Sequence, residues 1–391
     1  MKRFIGLFFL LAACATTPKR ITLPELDTPP FHHAYWAIHV EDDDGTVVYS
    51  QNADKLMVPA SNRKLSTAAT VANCLGFDTR LSTELWRDGE DLVIVGDGDP
   101  TLGSWRYERD DDFLHAAAEL RARGLTRVRD VIVDVSHFDR VTIPGGWKTG
   151  YLGETYAASV HAIAWNENGE AGKAIADPPA RAGKAMLDAL VINDINVTGT
   201  IRINTEPRAW GEKLLEIQSP FVAAMLATVL KNSQNLYAEM LLKRIGGGSY
   251  ANAFAVDRAF LITEPKLDGD SFRFADGSGL SADNLTTARA TIRLLKWMND
   301  PARRGMWWTL MATPNNEGTL RRRLVALETR LRGKTGTIGG VNALSGILAM
   351  PNGRYRYFSV MVNHHAGDGD EAERIIDRVV AKFAAERSPQ R

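Results

Sequence analysis

Three short clusters hold the residue types from which an acyl-transfer site without a histidine base can be built. They are Ser61-Asn62-Arg63-Lys64, Ser233-Gln234-Asn235 and Lys334-Thr335-Gly336, in that order along the chain. A serine hydroxyl is a weak nucleophile until a base takes its proton. At spacing i, i+3 on a helix, Ser61 and Lys64 share one face, which puts an amine within reach of that hydroxyl. Ser233 supplies a second hydroxyl, Asn235 an amide, and Lys334 a cation next to Thr335 and Gly336. The set points to a serine enzyme that works through an acyl intermediate.

Each cluster alone is a weak signal, and two of them recur. Ser-x-x-Lys occurs once, but Ser-x-Asn is repeated at Ser50-Gln51-Asn52 and Lys-Thr-Gly at Lys148-Thr149-Gly150. Ser50 ends a strand-like stretch ahead of the nucleophile. Lys148 follows Pro144-Gly145-Gly146-Trp147, a loop-like run. Lys334-Thr335-Gly336-Thr337 instead leads into alternating strand sequence, where an edge strand beside Ser61 would bind a substrate backbone. Order and context select the later copies. A phosphate-binding loop is excluded, because the glycine it needs five positions before Gly333 is replaced by Glu328.

The elements that must position these residues can be traced from the hydrophobic pattern. Ser61 opens an Ala- and Leu-rich run that reads as a mostly buried helix stopped by Gly76, with its free N–H groups beside the serine. Residues 34–39 and 46–49 flank an acidic, Gly-terminated turn and predict a hairpin. From residue 78 to 207 short β-rich pieces (92–95, 128–133, 197–203) and a helix at 113–123 suggest an inserted domain. Helices are predicted again at 221–230, 236–245 and 287–298, strands at 335–338, 343–350 and 355–363, and a last helix at 370–385. The catalytic domain would thus comprise residues 31–77 and 208–391.

Composition narrows the function class. The 391 residues, 45% of them apolar, suffice for two real cores. Lys and Arg (47) balance Asp and Glu (47), so nothing global favours nucleic acid. The eight histidines read as surface or core residues, the adjacent pairs His32-His33 and His364-His365 pointing apart on strands, and no metal or cofactor is expected. Cys74 lies in an apolar helical run and reads as a buried core thiol.

The N-terminus reads as an address. Lys2-Arg3 precedes an apolar stretch, Phe4 to Leu11, and then Leu11-Ala12-Ala13-Cys14. That tetrapeptide resembles the lipobox of bacterial lipoproteins, in which the cysteine is lipidated and becomes residue one; the lipoprotein signal segment, 1–14, would end at that cysteine. Residues 15–30, rich in Pro and Thr, would tether the lipid to the body. The resemblance implies a periplasmic protein attached to a membrane through Cys14. Ala15, where aspartate would signal inner-membrane retention, favours the outer membrane.

With the three clusters in sequence, the chain resembles the penicillin-binding proteins, and within them the low-molecular-mass class C D-alanyl-D-alanine carboxypeptidase/endopeptidase family. Pro59-Ala60-Ser61-Asn62-Arg63-Lys64-Leu65, Gly98-Asp99-Pro100-Thr101-Leu102, Ser233-Gln234-Asn235-Leu236-Tyr237-Ala238-Glu239, Asp276-Gly277-Ser278-Gly279-Leu280-Ser281, Glu317-Gly318-Thr319-Leu320 and Gly333-Lys334-Thr335-Gly336-Thr337 all carry it. The resemblance implies an α/β (α+β) penicilloyl-serine transferase fold, an antiparallel sheet flanked by helices, with a smaller β-rich domain inserted between the first two clusters.

It also implies roles. Ser61 would be acylated with Lys64 as base, aided by burial and neighbouring positive charge. The N–H groups of Ser61 and Thr337 would form the oxyanion hole. Ser233 would relay a proton to the leaving amine, Asn235 hold the peptide amide, and Lys334 with Thr335 and Thr337 attract the terminal carboxylate. Asp134 and Phe138, in Asp134-Val135-Ser136-His137-Phe138, would approach the substrate's diamino acid. Ala282 and Gly339 stand where relatives often place Arg and a polar residue, which weakens that grip. Substrates would be peptidoglycan stem peptides, and β-lactams would trap Ser61. A β-lactamase shares the clusters, but the large inserted domain argues against it. An inactive peptidoglycan-binding scaffold would need neither Ser61 nor Lys64.

Overall fold

The computed structural model describes residues 21–385, so the Cys14 segment lies outside the described residues. Two five-stranded sheets organise them. The first is antiparallel throughout, in the spatial order Leu331–Ile338, Val341–Ala349, Tyr355–Asn363, Tyr35–Asp42, Val47–Gln51. Leu331–Ile338, which carries Lys334, is an edge strand, as its alternating sequence led us to expect. The second sheet is mixed, in the order Ile201–Asn204, Val131–Asp134, Asp91–Gly96, Arg80–Asp88, Glu212–Phe221. Its last strand lies beyond residue 207.

Nine α-helices occur among the described residues: α1 (Arg63–Leu75), α2 (Asp112–Ala122), α3 (Pro178–Ile192), α4 (Val222–Lys231), α5 (Asn235–Ile245), α6 (Tyr250–Thr263), α7 (Ala288–Met298), α8 (Arg304–Leu310) and α9 (Gly369–Ala385). Period-two alternation assigns the two faces of the first sheet. Phe358, Val360 and Val362 turn to one side and pack with Ile375, Val379 and Phe383 of α9. Tyr357 and Ile347 turn to the other and join a core made by α1, α4, α5 and α7. The second sheet packs Leu92, Ile94, Val131 and Val133 against Phe113 and Leu120 of α2 and Met186 and Leu190 of α3.

Helix α5 belongs to both cores. Tyr237, Ala238 and Leu241 enter the α1/α4 core, while Leu236 and Met240, one turn apart on the adjacent face, enter the core of the inserted domain. The helix that carries Asn235 at its start is therefore clamped between the two halves of the molecule.

Several local expectations need correction. α3 was not anticipated, because Pro178-Pro179 resembles a loop. The prolines occupy the first turn, where no N–H is needed, and Asp177 caps the Ala180 N–H at 3.0 Å. α6, after the triple glycine, was also missed. Residues 21–30, expected as tether, pack down instead: Pro24–Asp27 forms a 3-10 turn with Leu23 and Leu26 buried against the α9 core. Cys74 is exposed at the end of α1 rather than buried. His32 and His33 sit in a turn with rings 3.8 Å apart, not on a strand.

α1, which follows directly on the turn that carries Ser61, is anchored by a buried arginine. Arg63 is almost fully buried and spans three partners: Asp257 of α6 (2.8 Å), the Asp276 carbonyl (2.9 Å) and Ser66 Oγ (2.6 Å), with its guanidinium 3.9 Å from the Phe274 ring centre. Removing one partner of a buried ion pair strands the other charge. Asp257→Ala should lower the unfolding free energy by about 3–5 kcal/mol, read as a lower urea midpoint. An unchanged midpoint would show that the pair does not hold α1.

Candidate active site

Ser61 sits in a 3-10 turn, Ala60–Asn62, that leads into α1. The turn is held by unusual backbone. Ala60 takes φ 47° and Ser233, across the cleft, takes φ 62°, both in the left-handed region that non-glycine residues rarely occupy. Such conformations persist where surrounding structure holds them. Here the neighbours are backbone. A Cβ on Gly336 would lie 2.8 Å from the Pro59 carbonyl oxygen and 3.0 Å from the Ser61 nitrogen, and one on Gly279 would collide with the Ala60 carbonyl. The glycine of Lys334-Thr335-Gly336 is thus what lets the edge strand pass against the serine's own N–H.

Lys64 is completely buried, with Nζ 3.0 Å from Ser61 Oγ, 2.6 Å from Asn235 Oδ1 and 2.6 Å from the Ser278 carbonyl oxygen. Burial pushes its pKa down to about 7, against a smaller opposing pull from Asp276 and Glu239. No neighbouring positive charge is needed for that shift. A neutral amine has two N–H donors and one lone pair. Asn235 Oδ1 and the Ser278 carbonyl can take the donors, which leaves the lone pair for the Ser61 hydroxyl. Lys334 is also fully buried, donating from Nζ to Ser233 Oγ (2.9 Å) and the Thr335 carbonyl (2.7 Å). Burial, then the nearby Lys64, holds its pKa well below the ordinary lysine value.

A cleft of about 510 Å³ opens over these groups, lined by Ser61, Ser233, Asn235, Leu280 and residues 337–340. Thr337 stands at its rim, its hydroxyl 3.2 Å from Asn342 Nδ2 and 3.2 Å from Glu373 Oε1. The duplicated clusters are not part of this constellation, although Tyr151, next to Lys148-Thr149-Gly150, lines the same cleft. Thr149–Tyr151 is an exposed 3-10 turn, with Lys148 near the Tyr151 ring, and Ser50 is on the Val47–Gln51 strand.

The sequence profile of the D-Ala-D-Ala carboxypeptidase 3 (S13) family matches residues 22–171 and 166–385. The chain belongs to that family. It is 28% identical over 462 residues to a D-alanyl-D-alanine carboxypeptidase of Actinomadura sp., covering 93% of this chain and 84% of that one. It is also 28% identical over 358 residues to a carboxypeptidase of Mycobacterium tuberculosis, covering 84% and 76%. Its fold is that of penicillin binding protein 4 from Haemophilus influenzae (TM-score 0.83, 18% identity, 93% and 99% covered). A predatory peptidoglycan endopeptidase from Bdellovibrio bacteriovorus is similar at TM-score 0.63, with 17% identity and 92% and 95% covered. This is a serine-type D-Ala-D-Ala carboxypeptidase.

In this carboxypeptidase Ser61, Lys64, Ser233, Asn235, Lys334, Thr335, Gly336 and Thr337 come together; Asp134 and Phe138 do not join them. Asp134 is buried within the second sheet, where it accepts from the Ser136 N–H (2.9 Å), Asn204 Nδ2 (3.0 Å) and Trp210 Nε1 (2.6 Å). Three hydrogen bonds thus tie it into its own sheet. Phe138 packs in the second core with its ring centre 5.2 Å from Lys243 Nζ. Asn235 lines the cleft and also bonds inward. Its Oδ1 holds Lys64, and its Nδ2 donates to the Tyr156 carbonyl at 2.7 Å, so both ends are engaged within the protein.

Other members of the site were not foreseen. Ser278 contributes a carbonyl, which has no sequence signature of its own. The loop behind it hangs on Glu239, which accepts the N–H groups of Gly277 (2.9 Å) and Ser278 (2.7 Å) and the Tyr250 hydroxyl (3.2 Å). Burial, then Asp276, raises the Glu239 pKa to about 7. His365 lines the cleft and lies 2.8 Å from Asn342 Oδ1. Lys64 should titrate near pH 7 in an NMR experiment on the ¹⁵N-labelled enzyme, with Lys64→Arg assigning the signal. A Lys64 ammonium persisting to pH 10 would contradict the burial argument.

Proposed function

We propose that Ser61 is the acylated nucleophile and Lys64 its base, in an enzyme that cleaves the D-Ala-terminated stem peptides of peptidoglycan. The observation that carries this reading is the Lys64 amine, buried, 3.0 Å from Ser61 Oγ and with two acceptors for its N–H groups. Lys64 takes the Ser61 proton as Oγ attacks the carbonyl of the penultimate D-Ala. The N–H groups of Ser61 and Thr337 face the developing oxyanion. Ser233 passes its proton to the departing amine as the C–N bond breaks and takes one back from Lys334, which donates to it at 2.9 Å. Lys334, Thr335 and Thr337 hold the substrate carboxylate, whose charge draws the Lys334 pKa back up on binding. Water then hydrolyses the Ser61 ester; Lys64 returns its proton to Ser61 Oγ and Lys334 recovers one from the water. Asn235 keeps Lys64 oriented and ties it to the inserted domain through Tyr156.

A β-lactam presents a strained amide with a carboxylate in the same relation and would acylate Ser61 without a departing amine. The solved complex of Haemophilus influenzae penicillin binding protein 4 with a β-lactam supports extending this chemistry to the same fold. We further propose that Cys14 is lipidated and holds the enzyme at a periplasmic membrane face, by preference the outer membrane. That rests on the Leu11-Ala12-Ala13-Cys14 sequence. Several buried acyl chains, at about 0.8 kcal/mol per CH₂, would make the attachment stable.

Fluorescent penicillin should label the wild type and not Ser61→Ala. Lys64→Ala should acylate about 10²–10⁴-fold more slowly, the usual contribution of a general base. Lys334→Ala should lose most activity on a D-Ala-D-Ala peptide while Lys148→Ala keeps it; the reverse result would reject the Leu331–Ile338 strand as the substrate strand. Cys14→Ser should lose a metabolic fatty-acid label and leave the membrane fraction, and a mutant still labelled at the membrane would rule out this anchor.

A further inference from the structure

One titratable ring at the cleft has no part in the proposed chemistry. His365 lines the cleft and is nearly buried. The chain is bent to put it there. His364 takes φ 58°, in the left-handed region, and turns the backbone out of the Tyr355–Asn363 strand. The His365 N–H then donates to the Gly340 carbonyl at 3.3 Å, and the imidazole centre lies 5.3 Å from the Phe31 ring centre. A Cβ on Gly367 would lie 2.6 Å from Phe31 Cζ, so the loop after His365 rests directly on the same ring.

Both ring nitrogens face oxygen. Nδ1 lies 3.1 Å from the Gly367 carbonyl oxygen, which can only accept, and Nε2 lies 2.8 Å from Asn342 Oδ1. The far end of the Asn342 amide fixes its orientation. That end lies 3.4 Å from the Gly369 carbonyl oxygen and 3.2 Å from Thr337 Oγ1. Only an NH₂ group suits the carbonyl, which assigns this atom as Nδ2 and turns Oδ1 to His365. The ring must then donate from both nitrogens, as only the imidazolium can. A neutral ring would leave a lone pair against an oxygen. If the amide turned over to relieve that, Oδ1 would meet Thr337 and take its single hydroxyl proton. With the amide as it stands, Nδ2 donates to the Thr337 oxygen instead. The hydroxyl proton then stays free for Glu373 Oε1, 3.2 Å away, or for a ligand in the cleft.

We propose that His365 is a positioning residue for the substrate carboxylate: its imidazolium holds Asn342 so that the Thr337 hydroxyl donates into the cleft, and loss of the ring proton withdraws that donor. The inference rests on the reading in which Lys334, Thr335 and Thr337 hold the carboxylate. Other charges surround the ring. Glu373 of α9 is paired with Arg323 at 2.9 Å, and Asp368 and Asp370 are exposed at the start of that helix. His32 and His33 share the turn of Phe31, Tyr151 and Tyr156 line the cleft, and Lys64 and Lys334 lie beneath it. Both lysines also draw a carboxylate more strongly as pH falls. Only a comparison between variants therefore isolates His365.

The test uses the purified enzyme and two peptides, one ending in D-Ala-D-Ala with a free carboxylate and one with that carboxylate amidated. The acid-to-amide ratio of kcat/KM reads carboxylate recognition and cancels the titration of Lys64 as base. It is measured at pH 6 and pH 9 for the wild type, His365→Phe and His365→Gln. At pH 6 the His365→Phe ratio should fall about tenfold below the wild type's, the scale of one hydrogen bond to a charged group. At pH 9 the two should agree within about twofold, because a neutral wild-type ring no longer holds the amide. His365→Gln keeps an N–H for Asn342 Oδ1 and does not titrate, so at pH 9 its ratio should exceed the wild type's. An equal deficit of His365→Phe at both pH values marks a merely structural residue and overturns the proposal. The ¹⁵N spectrum of the wild type at pH 6 should show both His365 ring nitrogens protonated, and a bare one overturns the proposal whatever the variants do. A wild type that does not distinguish acid from amide would instead remove the reading of the carboxylate site itself.

Discussion

The complete burial of the Lys64 amine is the constraint on which the rest of the site depends. An ammonium in that position would be poorly solvated, so burial lowers the Lys64 pKa to about 7 and suits the amine to the base role we propose. Burial alone would leave its N–H groups unsatisfied. Asn235 Oδ1 and the Ser278 carbonyl meet that need from two different segments. Each of those segments must then be held, and much of the surrounding architecture does this. Glu239 grips the backbone of 277–278, Arg63 ties α1 to the Asp276 carbonyl and to Asp257, and Tyr156 takes the other end of Asn235.

The two halves of the molecule are coupled through the same elements. Leu236 and Met240 of α5 sit in the inserted domain's core while Tyr237 and Leu241 sit in the catalytic one. One turn from α5's end, buried Lys243 pairs with Asp139 of the inserted segment at 2.7 Å. Tilting one half against the other would therefore move Asn235, and with it Lys64. Ser233 and Tyr156 lie where the halves meet and line the Ser61 cleft. The inserted segment reaches the site at the Tyr156 carbonyl, which accepts from Asn235, and not at Asp134.

The cluster of Ser61, Lys64 and Lys334 was legible in the sequence because the chemistry proposed for it needs particular side chains at particular spacings. Ser61 and Lys64 required one helical face, and Lys334 required a strand; the Leu331–Ile338 edge strand and the turn into α1 met both requirements. What was illegible falls into two kinds. Ser278 acts through a carbonyl that any residue carries, so only the loop's path reveals it. Asp134 and Phe138 were misplaced because a matching segment fixes which residues are present and not where they point. Asp134 found Asn204 and Trp210, residues far along the chain, before it could face a substrate. Cys74 misled similarly: the apolar run around it is real, but Asn73 and Cys74 face solvent on the last turn of α1.

The central claim is that burial makes Lys64 the base for Ser61. The pH dependence of the second-order rate of penicillin acylation tests it most directly. The base form grows as pH rises, so the rate should climb about tenfold per pH unit below neutrality and level off above about 7, the pKa that burial sets. A rate that keeps climbing beyond pH 9 would mean that Lys64 retains an ordinary lysine pKa, and would contradict the account.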